Sequence, residues 1–509
     1  MTETVPQHGT ETVPQPAIEA STPPDFVVAG AVVVRPDAGI AEKLDIAITG
    51  GKVSQLAAGL AASAPAGTEV FDASGLVAFP GSVDAHTHMG IYNPLDEDAV
   101  SESRAAAQGG TTTVLNYMRT GQYYLNQGGP YAEFFPEVLR RMDGHCHVDY
   151  GFHLAPMEAA HIDEIPMLVT EHGVTSFKIF MFYGGHGLHG ASDDQARFLM
   201  TPAGERYDYA HFEFVMRGIA EVRRAHPELA ATLSLSLHCE SAEIMTAYTR
   251  MVEAEGRLSG LAAYSASRPP HSEGLAVTIA SYLAHETDVV NINLLHLSSA
   301  KAMDAALRMS RCFENVNFRR EVTIGHLLVD IETSGDPWGK VNPPIRPRHD
   351  VEALWEHVLA GDVDWVVSDH ACCRAEAKVS ASRPDDIWLA KSGFGGTEYL
   401  LNGLYSEGTK RGLGLVDIAR LLSWNPARRY GLGTKGTIGV GYDADIALLD
   451  PAISHVVRAG ESESSQGYSP FEGQELTGRV SHVWLRGRRI LDGGKVVGDP
   501  LGQYQKRPT

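Results

Sequence analysis

From about residue 80 to residue 430 the chain repeats one phrase: a short apolar run with the look of a strand, a polar residue that closes it, then a stretch with helical spacing. The runs include "GLVAFPGSVDAHTH", "VTSFKIFM", "ATLSLSLHCES", "VVNINLLHLSS" and "DVDWVVSDHACC", and they alternate with segments such as "EDAVSESRAAAQGG" and residues 299–313. Alternation of this kind predicts β/α units around a parallel sheet. A stretch of about 350 residues suits a (β/α)8 TIM-type barrel with insertions, here over residues 80–434, with a doubly wound open sheet as the competing arrangement. "GLGTKG", residues 431–436, satisfies G-x-G-x-x-G but leads into a strand instead of joining a strand to a helix, so it does not predict a dinucleotide site.

The two ends have a different texture. "FVVAGAVVV", "LDIAIT" and "GKVSQLA" near the start, and "KGTIGVGYDADIALLD", "VSHVWLRGRRIL" and "GGKVVG" near the end, are short β-like segments between Gly and Pro turns. They predict one small sheet domain assembled from residues 26–79 and 435–509, the latter with a C-terminal extension. Residues 1–25 carry the hexamer TETVPQ twice, are Pro-rich and have little to pack, and are expected to form a disordered tail. A chain of 509 residues exceeds what one core sustains, which also calls for more than one domain.

A formal charge of −21 with no block of Lys and Arg argues against a nucleic-acid partner. No run approaches the roughly 18 apolar residues that span a bilayer, and the N-terminus lacks a signal pattern, so no membrane association is expected. The five cysteines are scattered and lack a C-x-x-C spacing, which fits a reducing cytoplasm. Cys372 and Cys373 are expected to pack, not to react.

Barrel enzymes carry their chemistry at the C-terminal ends of the strands, so the closing residues are the candidates. His86 and His88 in "VDAHTH" stand one residue apart, and on a strand such a pair shares a face. The same spacing recurs at His145 and His147 in "GHCH", so spacing alone does not choose between them. Lys178, His238, His296 and Asp369 close four other runs. A lone strand-end histidine is usually structural and a strand-end aspartate often caps a helix, but the whole set offers four imidazoles, a carboxylate and a buried amine. If burial lowers the lysine pKa, its free amine can take up carbon dioxide and form a carbamate able to bridge two metals; a salt bridge to Asp369 or another carboxylate is the structural alternative. His186 and His189, in "YGGHGLHG", are expected to be solvated on a loop.

Taken together, "VDAHTH", "SFKIFM", "LHCES", "LLHLSS" and "SDHA" resemble the amidohydrolase superfamily, and within it the cyclic amidohydrolases, dihydropyrimidinase and hydantoinase, with allantoinase and dihydroorotase as relatives. The similarity runs from about residue 26 to residue 506 and includes "SRPPHSEG", "KVNPPIR" and "WNPARRYGL". The resemblance implies a barrel with a binuclear divalent-metal centre, commonly zinc, with manganese, cobalt or iron as alternatives, and a small β-sandwich built from both chain ends. It assigns His86, His88 and Asp369 to one metal, His238 and His296 to the other, and carboxylated Lys178 to the bridge. It makes Asp369 the general base and Tyr183 the group that polarises the substrate carbonyl, and it sets His145 and His147 aside. Asn342, Ser392 and Gly393 fall on substrate-contacting positions, where this chain departs from the S-P-P-L-R and P-G-V-E patterns of hydantoinases. The implied activity is hydrolysis of a C–N bond in a cyclic amide such as a hydantoin, dihydropyrimidine, imide or lactam, with a linear amide or carbamate as the alternative substrate, and the implied assembly is a homotetramer. Some relatives are non-catalytic scaffolds that have lost ligands; here all six ligand positions and the tyrosine are present, which favours the enzyme.

Overall fold

The structure is a computed structural model, and it describes residues 23–186 and 205–509. His189 and most of the expected tail lie outside the described residues. Eight strands form one parallel sheet: β1 (Ser82–Thr87), β2 (Thr111–Met118), β3 (Asp149–Leu154), β4 (Ser176–Phe180), β5 (Ser234–His238), β6 (Asn291–Leu294), β7 (Asn317–Thr323) and β8 (Trp365–Val367). Each pairs with the next in chain order, as right-handed β/α crossovers produce. A parallel bridge between Thr87 and His370 brings the end of β8 back to β1, so the sheet curls into a barrel and is not the open arrangement. Strands β1 to β6 are buried at every residue, as parallel strands covered on both faces must be.

The connecting helices follow local signals. The helix Leu95–Gln108 carries Asp96, Glu97 and Asp98 in its first turn, complementing the positive end of its dipole, and turns into β2 through Gly109 and Gly110. Gly110 has φ +85°, a conformation that suits glycine at this corner. The helix Tyr209–Ala225 is capped by Asp208, whose carboxylate accepts from the backbone N–H groups of Ala210 and His211. No helix among the described residues is long and apolar enough to cross a membrane.

A separate nine-stranded sheet draws on both ends of the chain. Its seam is the strand Val77–Pro80, which pairs antiparallel with Ile446–Val456 through Val77–Leu449 and Pro80–Ile446. Val28, Val33, Ile46, Ile446, Leu448 and Trp484 form its core. Beyond it the C-terminal segment returns to the barrel, where the N–H of Tyr150 donates to the Gln503 carbonyl and that of Arg507 to the Gly173 carbonyl. The architecture is a (β/α)8 barrel with a smaller β domain.

Candidate active site

The polar residues that close the barrel strands converge at one end. His86 lies within β1 and His88 just past it, and their Nε2 atoms stand 3.2 Å apart. Asp369, two residues beyond β8, brings Oδ1 to 3.1 Å from His86 Nε2 and 3.3 Å from His88 Nε2. Lys178, in the middle of β4, puts Nζ 3.0 Å from His86 Nε2 and 4.0 Å from the centre of the Tyr117 ring. The rings of His238 and His296 meet edge to face with centres 4.3 Å apart, and that of His296 lies 5.4 Å from His86. His296 and Asp369 both have positive φ, 34° and 55°, so the chain bends as it leaves β6 and β8, an uncommon conformation for residues other than glycine.

Hydrogen bonding decides which ring nitrogens face the cluster. The Glu321 carboxylate accepts from Trp365 Nε1 and from the His296 backbone N–H, so it also accepts from His86 Nδ1, at 2.7 Å, and leaves a lone pair on His86 Nε2. Tyr124 Oη occupies His88 Nδ1 at 2.7 Å. Glu240 accepts from His238 Nε2 at 2.7 Å, which leaves Nδ1 of that ring for the cluster. These proton positions are assigned from the partners. Both ring nitrogens of His296 are buried without a hydrogen-bond partner. Such orphans cost about 1–3 kcal/mol each unless something is bound.

The electrostatics agree with the geometry. Burial, reinforced by the Lys178 charge, holds His86 and His88 well below the ordinary imidazole range; burial and then His238 do the same to His296. Burial also brings His238 to about 4. All four are therefore neutral, the form that ligates metal. Burial lowers Lys178 to about 7 against the pull of Asp369 and Glu321, and raises Asp369 to about 6 against the pull of Lys178. Donor atoms of His86, His296 and Asp369 all lie within 4.8 Å of one another, close enough to hold one ion. Neutral imidazoles, a carboxylate and an orphaned histidine suit a divalent metal.

The cavity beside this cluster is lined by Tyr183, Asn342, Ser392 and Gly393, all four of the expected substrate contacts, together with Ile91, Tyr92 and Phe182. Tyr183 stacks on Phe180, with ring centres 4.3 Å apart and planes 10° apart. Burial raises its pKa, while Arg119 works in the other direction. The Asn342 side chain meets Tyr264, whose hydroxyl lies 2.5 Å from Asn342 Oδ1, 3.2 Å from Ser392 Oγ and 3.0 Å from Arg268 Nη1. A separation of 2.5 Å belongs to O–H···O and not to N–H···O, so Tyr264 donates to the Asn342 carbonyl oxygen and accepts from Arg268. Arg268 also binds Glu240 through Nε and Nη2, at 3.0 and 2.7 Å. One buried chain of hydrogen bonds thus runs from His238 through Glu240, Arg268 and Tyr264 to Asn342.

Glu321, Glu240, Tyr124, Arg268 and Tyr264 are not among the residues singled out from the sequence. Of these, Glu240, two residues past His238 in "LHCES", and Arg268, in "SRPPHSEG", lie in stretches that carry the resemblance; the other three have no sequence signal. His145 and His147 precede β3 and so lie at the far end of the barrel, where His145 bonds to the Asp143 carbonyl. His186 is not solvated on a loop as expected: it is buried, with Nδ1 3.1 Å from Thr246 Oγ1, because the Phe182 carbonyl takes its backbone N–H and folds the segment inward. Cys372 and Cys373 are buried away from the cavity lining.

The family model for the amidohydrolase family matches residues 77–490. The chain belongs to the amidohydrolase family. This amidohydrolase is 32% identical over 487 residues to an allantoinase of Rubrobacter xylanophilus, covering 94% of this chain and 97% of the relative. It is 29% identical over 478 residues to a D-hydantoinase of Geobacillus stearothermophilus, covering 91% and 93%. The crystal structure of a dihydropyrimidinase from Brevibacillus agri superposes with a TM-score of 0.80 at 25% identity, covering 95% of this amidohydrolase and 98% of the other chain.

Proposed function

We propose that this amidohydrolase cleaves the C–N bond of a cyclic amide, such as a hydantoin, dihydropyrimidine, imide or lactam, at a centre of two divalent metals. The observation that carries the proposal is the buried His296 ring with both nitrogens unpartnered, facing lone pairs on His86 and a carboxylate oxygen of Asp369. Relatives named allantoinase and D-hydantoinase, which match over more than nine-tenths of the chain, support the cyclic-amide class. His86, His88 and Asp369 would hold one ion, His238 and His296 the other, and Lys178 would bridge them as a carbamate. The Lys178 amine bonds to the carbon of carbon dioxide and loses one proton to solvent; its depressed pKa keeps a free amine available near neutrality. Zinc is the first expectation, with manganese, cobalt or iron suited to the same donors.

When bound, the ions supply Lewis-acid polarisation and acidify water near neutral pH. Asp369 takes the proton of the attacking water and delivers it to the departing nitrogen. The Tyr183 hydroxyl donates to the carbonyl oxygen as charge builds on it. Asn342, held through its oxygen by Tyr264, lines the ring site, where an amide is suited to the polar edge of a cyclic amide. Ser392 and Gly393 complete the wall of the ring site. We further infer a homo-oligomer. Phe214 and Tyr282, 57% and 54% exposed, stand on the adjacent helices Tyr209–Ala225 and Pro270–Thr287, exposed aromatic side chains suited to contact with a second copy.

Metal analysis followed by a hydrolysis screen over hydantoins, dihydropyrimidines, imides, lactams, allantoin and dihydroorotate tests the assignment. Protein that binds no metal and stays inactive after addition of zinc, manganese or cobalt with bicarbonate would overturn it.

A further inference from the structure

At the opposite end of the barrel, where β5, β7 and β8 begin, lies a cavity of about 250 Å³. Asn317, Arg319, Asp364, Trp365, Trp424 and Arg428 line it, and Arg429 forms its inner wall. The arginines are unequally committed. Arg429 is largely committed: it donates to Asn291, Asn293 and the carbonyls of Ile292 and Asn317. Burial first, and then the charge of Arg319, lower its pKa to about 9. Arg428 lies 4.6 Å over the Trp424 ring and spends only Nη2, on the carbonyls of Leu432, Gly433 and Lys435. Its Nε is buried with no hydrogen-bond partner among the described residues. Arg319 donates to Asp364 through Nη1 alone, at 2.8 Å.

The acid side does not balance this. Asp364 is the one carboxylate among the lining residues, and its second oxygen is already taken by the side chain and backbone N–H of Arg320. A positive concavity stands against the chain's net charge of −21, and its walls concentrate the field. Two guanidiniums with spare, forked donors are geometrically suited to phosphate or carboxylate oxygens. The neutral ring substrates proposed for the metal centre have no group that needs them.

We propose that this cavity binds a small-molecule dianion, a phosphate or a dicarboxylate, between Arg319 and Arg428 with Trp424 alongside. The site is independent of the metal centre and of the activity proposed there. Calorimetric titration of the metal-loaded full chain with inorganic phosphate, and separately with malonate, at constant ionic strength tests it. One saturable site per chain for either anion is expected, and the preferred anion tells a phosphate ligand from a dicarboxylate. Arg319→Gln and Arg428→Gln should each weaken binding about tenfold or more while leaving metal content unchanged. Because Arg428 also ties down three carbonyls, Arg319→Gln, at a side chain 43% exposed, carries the test if the other variant fails to fold. Absence of saturation by both anions would overturn the proposal. Binding that Arg319→Gln leaves untouched, as for phosphate held at the metals, would overturn it equally.

Discussion

His86 and Glu321 stand 235 residues apart in the chain and 2.7 Å apart in the barrel, both without solvent exposure. The carboxylate fixes which imidazole nitrogen faces the cluster, and Trp365 holds the carboxylate in turn at 2.9 Å. Glu321→Gln keeps the shape but replaces one acceptor oxygen with an amide NH2. It should weaken metal affinity roughly 10–100-fold, read by competition with a chelating dye. An unchanged affinity would remove Glu321 from the support of the centre.

Lys178 is expected to join the site only as its carbamate. Lys178→Ala should therefore strip metal, with partial recovery from a short-chain acid able to bridge two ions; full metal occupancy in the variant would exclude the lysine. Carboxylation needs the neutral amine, and burial sets the lysine at about 7. Reconstitution of metal-free protein with metal and bicarbonate should accelerate as pH rises through that value and slow below it. A rate independent of pH across neutrality counts against the carbamate.

Asp369→Asn retains the size of the side chain and loses the base. Turnover should fall by roughly 10²–10⁴-fold while the thermal midpoint stays close to that of the parent. A near-parental rate would refute the proton-transfer role.

Tyr264→Phe removes one oxygen and leaves both Asn342 Oδ1 and Arg268 Nη1 without that partner. The asparagine amide then loses the contact that fixes its oxygen at this end. A rise in KM of about tenfold, with metal content intact and a smaller change in kcat, is expected. Loss of metal without a change in KM would instead place the effect on the Glu240 side of the chain of hydrogen bonds.

Much of the site was legible because strands have a period of two and barrels order their strands as the chain does. His86, Lys178, His238, His296 and Asp369 each close or occupy an apolar run, and successive runs become neighbours around one ring. The "GHCH" pair has the same spacing as "HTH", but it precedes its strand and so lies at the other end of the barrel, a distinction made by position along the strand. His186 was misjudged because loop composition does not report a backbone turn that buries a side chain.

The sequence by itself determined the β/α alternation, the two-ended β domain and the set of polar strand endings, since each is a local pattern of side chains along a few residues. Tertiary structure alone decided barrel over open sheet, through the bridge from Thr87 to His370. It alone paired His86 with Glu321, Tyr264 with Asn342, and Arg319 with Arg428 around one cavity. The reason is physical. Such partners come from strands and loops far apart in the chain, and what joins them is the burial that leaves each polar group to find the others.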